Sequence, residues 1–101
     1  MPWVYILECN DRSFYVGSTV DLERRVSEHN EGQGSAYTRR RLPVILRWSE
    51  FFTRVDDAFA AEKKLQGWGR RKRQALIDGD FELLPKLASR SWEAGRGRGD
   101  E

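Results

Sequence analysis

Long apolar runs are missing from this 101-residue chain, and no stretch approaches the length that spans a bilayer. Cysteine occurs once, at Cys9, so no disulfide can close within the chain. A lone thiol suits a reducing compartment, and the cytoplasm is the expected location. No charged leader followed by an apolar run opens the sequence, because the strand-like "WVYIL" already begins at Trp3. Internal repeats are absent, which excludes a solenoid. Histidine is as scarce as cysteine: His29 stands alone.

What remains is an ordinary globular composition, 34% charged and 12% aromatic. Residues 1–90 read as one domain with a single modest core, and 91–101, polar and glycine-rich, as a disordered tail. The formal charge of +2 conceals strong clustering. Arg39, Arg40, Arg41 and Arg47 form one basic block, and Lys63, Lys64, Arg70, Arg71, Lys72 and Arg73 form another. Charge runs are commonly solvated faces. An anionic partner, however, responds to the local field rather than the sum, so nucleic acid is an expected partner.

"WVYILEC" and "SFYVG" are rich in β-branched and aromatic residues and flank turn-forming "NDR", which predicts a β-hairpin over residues 3–18. A three-residue loop of Asp11, Arg12 and Ser13 would put Tyr5 and Tyr15 on one face; a two-residue loop would separate them. Thr19 or Asp21 can cap a helix running to about Asn30, with Leu22 and Val26 as its buried pair. Arg25 and His29, four residues apart, share an adjoining stripe of that helix. The segment "NEGQGSAYTRRRLP" lacks periodicity and reads as a basic loop. Residues 44–52 read as a third strand, expected to be the best buried. Residues 55–67 and 70–78 read as two further helices, the first ended by Gly67, and a short helix is expected around 80–89. The class is α+β: a small three-stranded antiparallel sheet flanked by helices, in the order β-β-α-β-α-α. The basic start of the 70–78 helix is electrostatically awkward, since a helix N-terminus already carries partial positive charge.

Glu62 is the most informative single position. Its helix neighbours Ala58, Phe59, Leu65 and Gln66 include no cation, so its carboxylate needs a partner from another element. That partner is either an arginine such as Arg25, in a structural ion pair, or a hard divalent ion. Tyr5, Tyr15, His29 and Gly17 each have a plainer reading, as sheet cover, helix surface and strand terminator. Their convergence carries the argument.

"VYIL" followed after a short turn by "FYVGST" resembles the paired motif of the GIY-YIG nucleases, with Tyr5 closing the first half and Tyr15-Val16-Gly17 forming the second. In that family an arginine follows the second tyrosine by ten residues, as Arg25 does here, and homing-endonuclease members have a histidine four further on, matching His29. A glutamate on a later helix binds the metal, and Glu62 is its counterpart. The resemblance covers roughly residues 3–77, including "HN", "AYTR", "RRLPV" and "AEKKLQGW", and is closest to the small single-domain bacterial members. The chain departs from the pattern at Trp3, where the first motif has glycine, and at Ser18, where repair nucleases have lysine. A functional asparagine found in some members has no assigned counterpart.

The resemblance implies a phosphodiester-cleaving endonuclease that uses Mg²⁺ or Mn²⁺, with Tyr5, Tyr15, Arg25 and His29 as catalytic residues and Glu62 as the metal ligand. Gly17, Ser18, Arg39, Arg40, Arg41, Lys63, Arg70, Arg71, Lys72 and Arg73 are the expected nucleic-acid contacts. DNA ranks ahead of RNA, sequence specificity is expected to be low, no membrane is involved, and a homodimer stays open. DNA repair or processing is the expected setting. The alternative is a nucleic-acid-binding module of the same fold with weak or no turnover. A plain protein-interaction domain has only Trp68 and Trp92 as support.

Overall fold

A computed structural model describes residues 2–79 of the chain. The expected helix at 80–89, the tail at 91–101, Trp92 and the domain limit at residue 90 lie outside the described residues. Three strands, β1 (Trp3–Glu8), β2 (Phe14–Thr19) and β3 (Ile45–Phe51), form one antiparallel sheet in the order β2-β1-β3. Helices α1 (Leu22–Asn30), α2 (Ala36–Arg39), α3 (Val55–Gln66) and α4 (Arg70–Asp78) complete the described part. The α+β class and the expected element order hold, with one helical turn, α2, added inside the basic loop. Ser35 makes that turn possible, since its hydroxyl accepts from the Thr38 N–H at 3.1 Å.

The hairpin turn has the expected three residues, but begins one residue early. Cys9 N–H donates to Ser13 O at 2.8 Å, which leaves Asn10, Asp11 and Arg12 as the loop. Arg12 takes the left-handed conformation at φ 74°, and the Asp11 carboxylate accepts from both the backbone N–H and the hydroxyl of Ser13. The resulting register pairs Tyr5 with Gly17 and Leu7 with Tyr15. Shifting the loop by one residue on both strands moves the register by two, so parity is preserved and the two tyrosines share a face.

Each face of the sheet has its own core. Val4, Ile6, Phe14 and Val16 pack against Ala58, Ala61 and Leu65 of α3 and Ala75 and Leu76 of α4, with Trp68 closing the joint. Trp68 is 6% exposed, so it supplies no free interaction surface. The opposite face, bearing Tyr5, Leu7 and Tyr15, packs against Leu22 and Val26 of α1 and against Leu42 and Val44. Covered on both sides and paired on both edges, β1 is the best-buried strand, contrary to the expectation for residues 44–52. β3 is an edge strand: Ile45 is 58% and Phe51 43% exposed. A bulge opposite Ile6 and Leu7 leaves Arg47 as the extra residue, and its guanidinium reaches Glu8 at 3.6 Å.

The basic start of α4 is stabilised from within. Arg73 donates from Nε to Leu65 O at 3.0 Å and from Nη2 to Gln66 O at 2.9 Å, so the cation sits on the carbonyl end of α3, where the helix dipole is negative. Arg70 donates to the Arg12 carbonyl and lies over the Phe14 ring at 4.4 Å. Replacing Arg73 by Ala should cost about 1–2 kcal/mol, the range for part-exposed charge-assisted bonds. Arg71→Ala, on the exposed side of the same helix, should stay within about 0.5 kcal/mol. Chemical denaturation of the two variants checks this; equal losses would refute the capping role.

Candidate active site

Gly17 sits where the hairpin lets the Tyr5 ring lie flat over β2. A Cβ at Gly17 would come 2.5 Å from the Tyr5 hydroxyl oxygen and 2.7 Å from its Cζ. The space above this glycine is thus taken by the protein's own phenol, which corrects the expectation that a nucleic-acid backbone approaches there. Tyr5 is 1% exposed, and its hydroxyl is 3.0 Å from Nε2 of His29. His29 itself has no exposed surface. It is the one fully buried residue of α1, neither the surface nor the capping residue that a lone helix histidine usually is. Its other nitrogen, Nδ1, lies 2.8 Å from the hydroxyl of buried Thr38. The Tyr15 ring meets His29 edge-on at 5.3 Å between centroids.

Arg25 lies one turn before His29 and is half-buried. Its guanidinium donates to Glu28 Oε1 at 2.9 Å and to Gly34 O at 2.9 Å. Glu28, then Tyr5, hold the guanidinium in its charged form against the opposing effect of burial. Burial pushes the Tyr5 phenol up to about 12, while the facing Arg25 guanidinium pulls the other way and the charges of Tyr15 and Glu62 add to the rise. Burial, then the Arg25 charge, depresses the His29 pKa, with Glu28 opposing, so the imidazole is neutral at pH 7.

Glu62 approaches from the other face of the sheet. It is half-exposed on α3, and Ser18 Oγ donates to its Oε1 at 2.8 Å while the Gln66 amide donates to Oε2 at 3.2 Å. Ser18 points to the α3 side and Gly17 to the Tyr5 side near the end of edge strand β2, so the carboxylate and the phenols flank that strand from opposite faces. The Arg25–Glu62 ion pair considered from sequence does not form, because Arg25 takes Glu28 on its own helix instead. Beside this edge a cleft of ≈ 370 Å³ is lined by Ser18, Thr19, Val20, Asp21, Arg24, Arg25 and Glu28.

The GIY-YIG catalytic-domain family model matches residues 1–75. The chain belongs to the GIY-YIG family. Its relatives include the UPF0213 protein of Halobacterium salinarum, 43% identical over 76% of this chain and all of that one. A UPF0213 protein of Streptococcus pneumoniae is 45% identical over 89% of this chain and 92% of its own length. The solution structure of the UPF0213 protein of Bacillus halodurans superposes with a TM-score of 0.52 at 38% identity, covering 88% of this chain and 99% of that one. The GIY-YIG fold is a nuclease fold, so the α+β assignment and the family expectation both stand.

The GIY-YIG residues read from sequence fall into two groups in space. Tyr5, Tyr15, Arg25 and His29 are drawn together by the hairpin and α1, whereas Glu62 lies on the α3 face, bonded to Ser18. Of the expected site residues, Ser18 and Arg25 line the cleft. The basic residues are dispersed by comparison. Arg39, Arg40, Lys63 and Arg71 are exposed. Arg41 is committed to Asp11 at 3.0 Å, to Tyr37 O at 2.8 Å and to the Tyr37 ring, and Arg70 and Arg73 to the carbonyls described above. Lys72 lies 5.9 Å from the Trp68 ring centre. The Tyr37 ring is engaged by Arg41 at 3.8 Å and stacks with Tyr15 at 6.0 Å between centroids, while keeping 38% of its surface exposed.

Sequence reasoning missed Thr38, Ser35, Gly34 and Glu28 as parts of this site. "AYTR" carried the family resemblance, but nothing in its spacing showed that Thr38 would meet His29. A folded-state pKa of about 12, above the ordinary 10.0 of an unfolded chain, predicts a measurable signature. One of the three tyrosines should ionise late in a spectrophotometric titration, and Tyr5→Phe should remove that step. By linkage, the contribution of the protonated phenol to stability is complete below pH 10 and lost as pH rises through about 12. Ionisation of all three phenols together near pH 10 in folded protein would contradict the buried assignment.

Proposed function

We propose that this protein is a divalent-metal-dependent endonuclease that hydrolyses nucleic-acid phosphodiester bonds with low sequence specificity. The observation that carries the reading is the buried Tyr5 hydroxyl, given both a proton acceptor, His29 Nε2 at 3.0 Å, and a facing cation, Arg25. A phenol raised to about 12 is a poor base in its resting form. Neutral His29 is the acceptor for its proton. The transfer runs uphill in the resting site, because burial raises the phenol and depresses the imidazole. The phenolate so formed takes a proton from the attacking water. Half-buried Tyr15, at the mouth of the same face, positions that water. The two carbonyl and carboxylate bonds of Arg25 hold its guanidinium rigid and leave further N–H donors for the oxygens of the reacting phosphate.

The donor chemistry of Glu62 fits a hard divalent ion. Its two hydrogen-bond partners are neutral, so the carboxylate keeps its charge for a cation. Among the described residues no cluster of three or more His, Cys, Asp or Glu is present to cage an ion, which suits Mg²⁺ or Mn²⁺ held by one carboxylate, water and phosphate oxygens. When bound there, the ion supplies Lewis-acid polarisation of the phosphate and offsets charge on the leaving oxygen. Ser18, standing where repair nucleases have lysine, orients the carboxylate.

Arg39, Arg40, Lys63 and Arg71 supply the phosphate grip. Such contacts carry little base information, and with the Tyr37 ring already engaged by Arg41 and Tyr15 stacking adds little. DNA is preferred as substrate, in repair or processing within the cytoplasm, and a homodimer is one way to add specificity. No helix among the described residues is long and apolar enough to cross a membrane.

The test is cleavage of labelled single-stranded, duplex and branched DNA, and of matching RNA, with and without Mg²⁺. Arg25→Ala and Glu62→Ala should each lower turnover by about 10²–10³-fold. Binding should weaken steeply between about 50 and 200 mM salt. Cleavage indifferent to both substitutions would sink the assignment, and salt-sensitive binding without cleavage would identify a binding module instead.

A further inference from the structure

Thr38 and Ser35 take no part in the proposed cleavage steps, although Ser35 caps α2. His29 is wholly buried and each ring nitrogen has one protein partner, Tyr5 at Nε2 and Thr38 at Nδ1. A neutral imidazole carries one N–H and one lone pair, so only two arrangements satisfy both contacts. In the first, Nδ1–H donates to Thr38 Oγ1 and the Tyr5 hydroxyl donates to Nε2. In the second, Thr38 donates to Nδ1 and Nε2–H donates to the phenol oxygen. Only the first lets Tyr5 surrender its proton, because in the second Nε2 already holds one.

We propose that Thr38, seated on Ser35, is a positioning residue that locks His29 in the Nδ1–H tautomer and so keeps Nε2 open as the acceptor for the Tyr5 proton. The inference rests on the nuclease reading for its purpose but on hydrogen-bond geometry for its content. The single proton of the Thr38 hydroxyl has an acceptor other than His29 in the Ser35 carbonyl at 3.4 Å, and Ser35 Oγ at 3.0 Å can either accept it or donate in turn. Directed there, it leaves a lone pair of Oγ1 facing Nδ1. The other end of the chain enforces the same polarity. Tyr5 is 1% exposed, and among the described residues the hydrogen-bond acceptor within reach of its hydroxyl is His29 Nε2. Were Nε2–H to donate to the phenol oxygen, the buried Tyr5 proton would have no acceptor, at the cost of an unmade buried hydrogen bond.

The segment from Gly34 to Thr38 is built closely against the ring. A Cβ on Gly34 would fall 1.9 Å from His29 Nδ1, so no other residue lets the chain pass here without displacing the imidazole. The same glycine supplies the carbonyl that Arg25 holds. One short loop therefore fixes both the proton acceptor and the cation on either side of Tyr5.

Because the chain has one histidine, its ring nitrogens give unambiguous signals in two-bond ¹H–¹⁵N correlation spectra of the full-length protein at neutral pH. The expected result is a protonated Nδ1 and an unprotonated Nε2 in the wild type. Thr38→Val, which removes the acceptor, should move the ring toward the Nε2–H form, and Thr38→Ser should restore the wild-type pattern. On DNA, Thr38→Val should lower turnover by about 10²–10⁴-fold with binding retained, and Thr38→Ser should recover most of it. An Nε2–H tautomer in the wild type overturns the proposal by itself, whether or not the valine variant folds. So does an unchanged tautomer in folded Thr38→Val. The spectra do not depend on cleavage: an Nδ1–H ring in a protein that cuts nothing would fail the nuclease reading and leave this one standing.

Discussion

A histidine with no exposed surface must find partners for both ring nitrogens inside the protein, and that requirement organises this molecule. His29 reaches across to β1 for one partner, Tyr5, and out to the 34–38 loop for the other, Thr38. Three segments distant in sequence are thereby tied at one point. Unpaired, either nitrogen would cost about 1–3 kcal/mol, a sizeable share of a small domain's stability. The hairpin register, the absence of side chains at Gly17 and Gly34, and the α2 turn all serve to bring these groups within reach.

The sheet separates the parts of the candidate site. Phenols, imidazole and guanidinium belong to the α1 face, and the carboxylate belongs to the α3 face. Both flank edge strand β2, whose adjacent residues Gly17 and Ser18 present alternate sides within one step of the pleat. Tyr5 hangs over the first, and Glu62 is anchored by the second. The basic helix α4 is stabilised in an analogous way, by the carbonyl end of α3, which converts part of an apparent nucleic-acid surface into structural glue.

Local signals carried much of this fold. Alternation and turn chemistry located the hairpin, and its loop length was enough to place Tyr5 and Tyr15 on one face even though the loop began one residue early. Capping residues and a glycine marked α1 and α3 closely, with Asp21 as the N-cap of α1 and Gly67 after the end of α3. The apolar character of residues 44–52 misled, because an apolar strand reads alike whether it lies at the centre or at the edge. Strand order depends on which partners compete for each edge, and that is a contest among distant segments.

The sequence alone determined the residue chemistry, the intrahelical spacing of Arg25 and His29, and the absence of a cation beside Glu62 on its own helix, because these follow from neighbours within one turn. Tertiary structure decided who partners whom: Ser18 rather than Arg25 for Glu62, Glu28 for Arg25, and Thr38 for His29. The Ser18–Glu62 and Thr38–His29 pairings join positions forty-four and nine apart, which local periodicity does not encode, whereas Glu28 meets Arg25 three residues on along the same helix. A hydroxyl such as that of Thr38 has no sequence signature of its own. It acquires a role only when packing removes water from both ends of its hydrogen bond.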